Sequence, residues 1–148
     1  MEDKLARFVL GNPDAAMVTH RADGTSHMAR IEVGLVDGRL WGTGSSKLIR
    51  TRNLRRDPRS SLFVFGPHPH WAGLETTVTI LEGPDVAPLL ASLMRVRHPG
   101  KAPEGMVFAH DDIRGVDRVY SEEEYTERVI ADGRLVYEFT ILRAYGKY

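Results

Sequence analysis

Cationic side chains are concentrated in one stretch of this sequence, residues 47–59. Six of the 20 lysines and arginines lie there, against a single acid, Asp57. The stretch predicts a short helix that Ser45 or Ser46 caps and that ends before Pro58. The first turn of that helix would then contain two cations.

The two cations at the predicted helix start are Lys47 and Arg50. The helix dipole disfavours a cation in the first turn by about 0.3–1 kcal/mol. A docked anion removes this conflict, because N–H groups, hydroxyls and cations then converge on one ligand such as a phosphate. The pattern therefore predicts an anion-binding site.

The alternative reading of the same stretch is a basic helix exposed to solvent, as for most runs of charge. Leu48, Ile49 and Leu54 do not form one apolar stripe, so the cations surround the helix and cannot all face one ligand. Three arginines near its C-terminal end are expected to face solvent or to form salt bridges: Arg55, Arg56 and Arg59.

Two further features could serve a site. His68 and His70 suggest a metal, but no third ligand is obvious, so we expect no metal site. Trp71 could cover a cofactor ring or a substrate, or pack in the core or at a subunit interface. No residue stands out as a catalytic acid, base or nucleophile.

The composition limits the class of protein. The 148 residues have a net charge of zero, which argues against general nucleic-acid binding. The sequence has no cysteine, which excludes disulfides and thiolate chemistry. We see no signal peptide and no apolar run long enough to cross a membrane. We expect one cytoplasmic domain, residues 1–148.

Hydrophobic periodicity predicts six strands, at residues 15–20, 26–36, 39–43, 61–65, 76–82 and 135–145. Asp-Gly pairs at Asp23 and Asp37 indicate hairpin turns between the first three. Residues 61–65 are nearly all apolar, which indicates a strand buried on both faces.

Helices are predicted at residues 2–11, in the basic stretch, from Gly83 to about His98, and after a capping box at Ser121. Residues 101–119 are weakly patterned and predict a loop with at most one helical turn. We therefore expect a mainly β fold with peripheral helices, in which a small barrel has its ends covered.

Several of these motifs occur in a familiar order. The sequence resembles the split β-barrel proteins related to pyridoxamine 5′-phosphate oxidase, in particular the branch that binds the deazaflavin cofactor F-420. The resemblance covers residues 15–146, and its most specific part is the Arg-Asn-Leu-Arg-Arg-Asp-Pro-Arg run at residues 52–59. The other motifs are the two Asp-Gly turns, Trp71, residues 81–85, residues 132–137 and the closing Tyr145-Gly146.

The resemblance implies a homodimer with two cofactor sites at the interface, each built from both chains. It implies a phosphate site formed by Thr43, Gly44, Ser45, Ser46, Lys47 and Arg50. Arg52 and Asn53 would support the loop or meet the cofactor tail. Residues of the second strand would flank the ring system: Met28, Arg30, Ile31 and Glu32. Trp71 would be a further candidate residue for binding the cofactor.

Two classes of function follow from the resemblance. One is an oxidoreductase that moves hydride from reduced F-420 to a conjugated small molecule of quinone, enone or tetrapyrrole type. The alternatives are an FMN-binding oxidase-like protein, or a protein that carries a flavin, deazaflavin or haem without turnover. A pocket open beside the ring favours the enzyme, whereas a ring sealed by Trp71 or by residues 101–119 favours a carrier.

Overall fold

The computed structural model describes residues 1–111 and 115–148. The helices of this part are α1 (Asp3–Gly11), α2 (Ile49–Arg56), α3 (Val86–Arg97) and α4 (Glu122–Asp132). Its strands are β1 (Asp14–His20), β2 (Ser26–Val36), β3 (Arg39–Ser45), β4 (Arg59–Phe65), β5 (Trp71–Leu81), β6 (Met106–Asp111), β7 (Val116–Ser121) and β8 (Arg134–Lys147). None of these helices is long and apolar enough to cross a membrane.

Six strands close into an antiparallel barrel in the order β1-β2-β3-β8-β5-β4, with β4 pairing back onto β1. Asp37 and Gly38 join β2 to β3 with φ of 50° and 77°. Positive φ at both central residues is what a type I′ hairpin requires. The predicted mainly β barrel with peripheral helices is confirmed.

The buried side chains form two clusters. One fills the barrel and includes Met17, Leu62, Leu74 and Tyr137. The other lies outside the barrel, where Trp41 packs with α3, α4 and the β6–β7 hairpin. The second cluster fixes α3 against the outer face of the barrel, which brings the C-terminal end of α3 close to β2.

The loop predicted at residues 101–119 is wrong, because most of that segment forms the β6–β7 hairpin; residues 112–114 of the prediction lie outside the described residues. Val107 and Ala109 alternate towards the second cluster, but Val119 on the opposite face is also apolar, and Val116, on the same face as Val107, is exposed. Apolar residues on both faces hide the period of two that identifies a strand.

The prediction that residues 61–65 are buried on both faces is also wrong. Leu62 and Val64 point into the barrel, whereas Phe63 and Phe65 lie on its outer surface with 38% and 52% of their area exposed. The strand after it begins at Trp71 rather than at Thr76. The apolar run therefore comes from a surface aromatic group and not from a second core.

Candidate anion-binding site

Helix α2 begins later than the sequence predicted. Its N-cap is Leu48, which makes no side-chain cap, so the predicted capping by Ser45 or Ser46 is wrong. Ser45 is the last residue of β3, and its hydroxyl donates to the carbonyl of Asp132 at 3.0 Å. Lys47 consequently precedes the helix, while Arg50 does lie in the first turn, which contains no acid.

Polar contacts fasten α2 to the barrel. The Thr51 hydroxyl donates to the Ser45 carbonyl at 2.7 Å and pairs with the Tyr137 hydroxyl. Burial raises the pKa of Tyr137, so this hydroxyl stays protonated and can donate. Asn53 is 3% exposed and donates from Nδ2 to the Thr19 hydroxyl at 3.1 Å. These contacts hold the start of α2 in a fixed position next to β3.

Gly44 leaves the space that Tyr137 occupies. A Cβ at this position would lie 2.2 Å from the Tyr137 ring, and Tyr137 is fully buried. We expect Gly44→Ala to lower the free energy of unfolding by about 1–3 kcal/mol through overpacking, measured by urea denaturation. Gly11→Ala is the matched control, because nothing lies within 4 Å of its Cβ position. Equal stability of the two variants would contradict this packing.

The arginines at the C-terminal end of the basic stretch have partners within the chain. Arg55 forms two hydrogen bonds to Glu82, at 2.8 and 2.7 Å, which lower the pKa of that carboxyl. Arg59 pairs with Asp57 at 2.7 Å, and Arg56 donates to the backbone carbonyl of His20. The expectation for these three arginines is confirmed.

Lys47 and Arg50 differ from these arginines. Among the described side chains, those of residues 1–110 and 115–148, neither pairs with a carboxylate. Arg50 is half-buried: its Nη2 reaches the Thr43 carbonyl at 3.4 Å, and its guanidinium lies 5.9 Å from the centre of the Tyr137 ring. Its Nε atom is buried and has no hydrogen-bond partner in this part of the chain. An unpaired buried N–H costs about 1–3 kcal/mol, so an anion at this position would be stabilising.

Three cavities lie along this surface. The α2 cavity, about 310 Å³, is lined by Thr43, Gly44, Ser45, Lys47, Leu48, Arg50, Asp132 and Arg134. The Arg97 cavity, about 300 Å³, is lined by Arg30, Ile31, Glu32, Thr43, Arg50, Met94, Arg97, His98, Ala109, His110 and Arg134. The Met28 cavity, about 570 Å³, is lined by Asp14, Ala15, Ala16, Met28, Ala29, Arg30 and Phe65.

The cavities share lining residues and lie side by side, and we refer to the three together as the groove. Thr43, Arg50 and Arg134 belong to both the α2 cavity and the Arg97 cavity. Arg30 belongs to both the Arg97 cavity and the Met28 cavity. A ligand bound beside Lys47 could therefore extend along β2 as far as Met28.

Nine of the predicted site residues line this groove: Met28, Arg30, Ile31, Glu32, Thr43, Gly44, Ser45, Lys47 and Arg50. Four do not. Ser46 and Arg52 are exposed, Asn53 faces the barrel, and Trp71 stacks on Phe63 with 5.1 Å between ring centres. The groove thus contains both predicted phosphate-site and predicted ring-site residues, whereas Trp71 does not line it.

The sequence reasoning missed six charged or titratable residues of the groove: Asp14, Arg97, His98, His110, Asp132 and Arg134. Arg97 and His98 end α3, and Arg134 begins β8. Arg97 pairs with Glu32 at 2.5 Å, and Arg134 lies 3.5 Å from Asp132. Burial, followed by the neighbouring Arg97, lowers the pKa of His98, so its imidazole is neutral at pH 7. The packing of α3 on the barrel brings Arg97 and His98 to β2, and the pairing of β8 with β3 brings Arg134 next to Ser45.

Comparisons with known proteins identify the fold. No family model and no curated relative matches the sequence. Three solved structures align over nearly the whole chain. A candidate pyridoxamine 5′-phosphate oxidase from Listeria innocua is 12% identical with a TM-score of 0.64, covering 97% of this chain and 95% of its own. A protein named F420 reductase is 17% identical with a TM-score of 0.60, covering 93% of both chains.

The third structure is the haem storage protein HutZ of Vibrio cholerae, 11% identical with a TM-score of 0.65, covering 99% of this chain and 94% of its own. The protein therefore has the split β-barrel fold of the pyridoxamine 5′-phosphate oxidase-like proteins. This fold class contains oxidoreductases as well as a haem storage protein. The function of this chain must therefore be argued from the residues of the groove and not from the fold.

Proposed function

We propose that this protein is an F-420-dependent oxidoreductase of the cytoplasm, which transfers hydride from the reduced deazaflavin to a conjugated small molecule of quinone, enone or tetrapyrrole type. The observation that carries the proposal is the pair Lys47 and Arg50, two cations without a carboxylate partner in the described chain, at the wall of an open cavity. The name of the F420 reductase neighbour agrees with this choice.

The residues of the groove fit such a cofactor. A phosphate beside Lys47 would also meet Arg50, whose buried Nε has no partner within the described residues, and the backbone around Ser45. Charge-assisted hydrogen bonds of this kind contribute about 1.5–3 kcal/mol each. Met28, which is 71% exposed, and the stem of Arg30 provide the less polar wall that a flat ring needs.

When bound, reduced F-420 would supply the hydride, as cofactors do in most redox enzymes. The side chains of the groove would bind and orient it. Lys47 and Arg50 would hold the phosphate, and β2 would fix the position of the ring. The barrel, closed on itself, makes β2 and β3 a rigid base for this positioning.

FMN is the alternative cofactor, because its single phosphate needs only two or three cations. The α2 and Arg97 cavities contain five cationic side chains, Arg30, Lys47, Arg50, Arg97 and Arg134, against the two carboxylates of Glu32 and Asp132. Three of the five are paired, however: Arg30 with Asp14, Arg97 with Glu32 and Arg134 with Asp132. Lys47 and Arg50, the cations without a carboxylate partner in the described chain, serve the phosphate of either cofactor. F-420 is therefore proposed on the resemblance, and titration with both cofactors distinguishes the two.

A carrier of a flavin, deazaflavin or haem is the second alternative, suggested by the haem storage neighbour. Trp71 packs against Phe63 and Tyr145 instead of covering the groove. The β6–β7 hairpin contributes Ala109 and His110 to one wall of the groove. An open groove supports turnover of a second ligand more than storage of one.

We also propose a homodimer. Phe63, Phe65, Trp71 and Tyr145 form an aromatic face on the outer surface of the barrel, with neighbouring ring centres 4.8–6.1 Å apart. Exposed aromatic groups of this kind are typical of subunit interfaces. Phe65 also lines the Met28 cavity, so a second copy seated on the aromatic face would complete the wall of the groove.

Titration with each cofactor tests the proposal. We expect the purified protein to bind F-420 at least about tenfold more tightly than FMN, since one additional charge-assisted contact has this effect. The measurement is the change in ring fluorescence at equilibrium. Equal affinities, or tighter binding of FMN, would reject the deazaflavin assignment.

A further inference from the structure

We propose that Arg97 binds a carboxylate of the molecule that accepts the hydride, so that the acceptor is a conjugated acid. The inference depends on the proposed function in one respect, because only that function makes the bound acid the hydride acceptor. Its physical basis is the set of hydrogen bonds that Arg97 makes and the residues that line the cavity around it.

The Arg97 side chain is only 12% exposed. Its Nε and Nη2 atoms both donate to the same oxygen of Glu32, Oε2, at 3.0 and 2.5 Å. Nη1 is buried and has no hydrogen-bond partner in the described part of the chain. Guanidinium groups bind carboxylates best through two parallel hydrogen bonds to two oxygens. Arg97 therefore keeps unused donor capacity despite its ion pair.

The cavity around Arg97 keeps one donor without an acceptor. Arg97 and Arg134 are paired with Glu32 and Asp132, and Arg50 is the cation that would meet the phosphate beside Lys47. Nη1 of Arg97, which has no partner among the described residues, is therefore the donor left for a second anionic group. The neutral imidazole of His98 adds a hydrogen-bonding group without a further charge.

The apolar residues that line the same cavity are already largely buried. Met94 and Ala109 line it with 6% of each residue exposed, and the Ile31 side chain packs in the barrel core. The conjugated body of the ligand therefore follows from the proposed function, and Arg97 adds the acid. The cavity lies along β2, where the proposed function places the cofactor ring, so an acid held by Arg97 would lie beside that ring.

Binding of trans-cinnamate and of its neutral analogue cinnamamide tests the inference, measured by calorimetry on the full chain with and without F-420. The two probes have the same conjugated body and differ in charge. We expect the wild-type protein to bind cinnamate at least about tenfold more tightly than cinnamamide, and Arg97→Gln to lose this preference. Equal binding of the two probes by the wild type would overturn the inference.

Arg95→Gln is the matched control, because Arg95 lies in the same last turn of α3, pairs with Glu122 at 2.9 Å and does not line the groove. This variant should keep the full preference. Arg97→Lys retains a charge for Glu32 but loses the planar donor pair, so its preference should fall at least about threefold. It carries the test if Arg97→Gln does not fold, and an unchanged preference in Arg97→Lys would then overturn the inference.

Two outcomes separate this inference from the proposed function. If cinnamate is preferred through Arg97 but the protein does not bind F-420, the acid site is supported and the proposed function is rejected. If Lys47→Ala abolishes the preference while Arg97→Gln retains it, the acid binds in the α2 cavity and the inference is overturned.

Discussion

Replacing Lys47 or Arg50 with alanine is expected to weaken F-420 binding by about 10–100-fold for each single change. Each replacement removes a cation that has no carboxylate partner in the described chain and that faces the α2 cavity. The melting temperature should change little. Lys47 is exposed, and the hydrogen bond that Arg50 makes within the chain is a long one, 3.4 Å to the Thr43 carbonyl. Fluorescence titration and thermal denaturation measure the two effects.

Arg55→Ala is the matched control for this prediction. It removes a cation from the same helix, but one that pairs with Glu82 on the surface away from the cavity walls. Its F-420 affinity should stay within about threefold of the wild type, because salt screens exposed charges at a distance. If Lys47→Ala and Arg50→Ala bind F-420 normally but melt at a much lower temperature, α2 is a structural helix and the anion site is wrong.

The barrel could be predicted from sequence because its strands are encoded locally. Asp23-Gly24 and Asp37-Gly38 set the first two hairpins, and β2 matches its predicted bounds, residues 26–36. The β6–β7 hairpin could not, because its outward residues are also apolar and its burial depends on α3 and α4. The Phe63-Val64-Phe65 run was misread for the related reason that apolar residues at the surface resemble a core.

The residues of the candidate site also fall into a group that the sequence could predict and a group that it could not. Lys47 and Arg50 are close in sequence, so the sequence could group them. The helix begins at Ile49, however, so the conflict with the helix dipole applies to Arg50 and not to Lys47. Arg97 and Arg134 reach the groove only through tertiary packing. Gly34 allows α3, which carries Arg97, to approach β2 closely, because a Cβ at position 34 would lie 2.8 Å from Leu93 of α3. A glycine within an otherwise alternating strand was the one local sign that another element approaches β2 closely.

Phe65→Glu is expected to convert the proposed homodimer into a monomer. Loss of the dimer should in turn weaken cofactor binding. Phe65 is 52% exposed, so the monomer should tolerate the change. In the proposed dimer the new carboxylate would be buried against the aromatic face without a partner. Burial of an unpaired charge costs several kcal/mol, which raises the dimer dissociation constant at least about 100-fold. Sedimentation velocity at micromolar concentration measures the change.

Ile130→Glu tests whether the effect belongs to the aromatic face. Ile130 is another exposed apolar residue, 69% accessible, and it lies on α4, away from Phe63, Phe65, Trp71 and Tyr145. This variant should remain dimeric and bind F-420 as the wild type does. A wild-type protein that sediments as a monomer, or a Phe65→Glu variant that remains a dimer, would place the subunit contact elsewhere. Normal cofactor binding by a monomeric Phe65→Glu variant would mean that one chain forms the whole site.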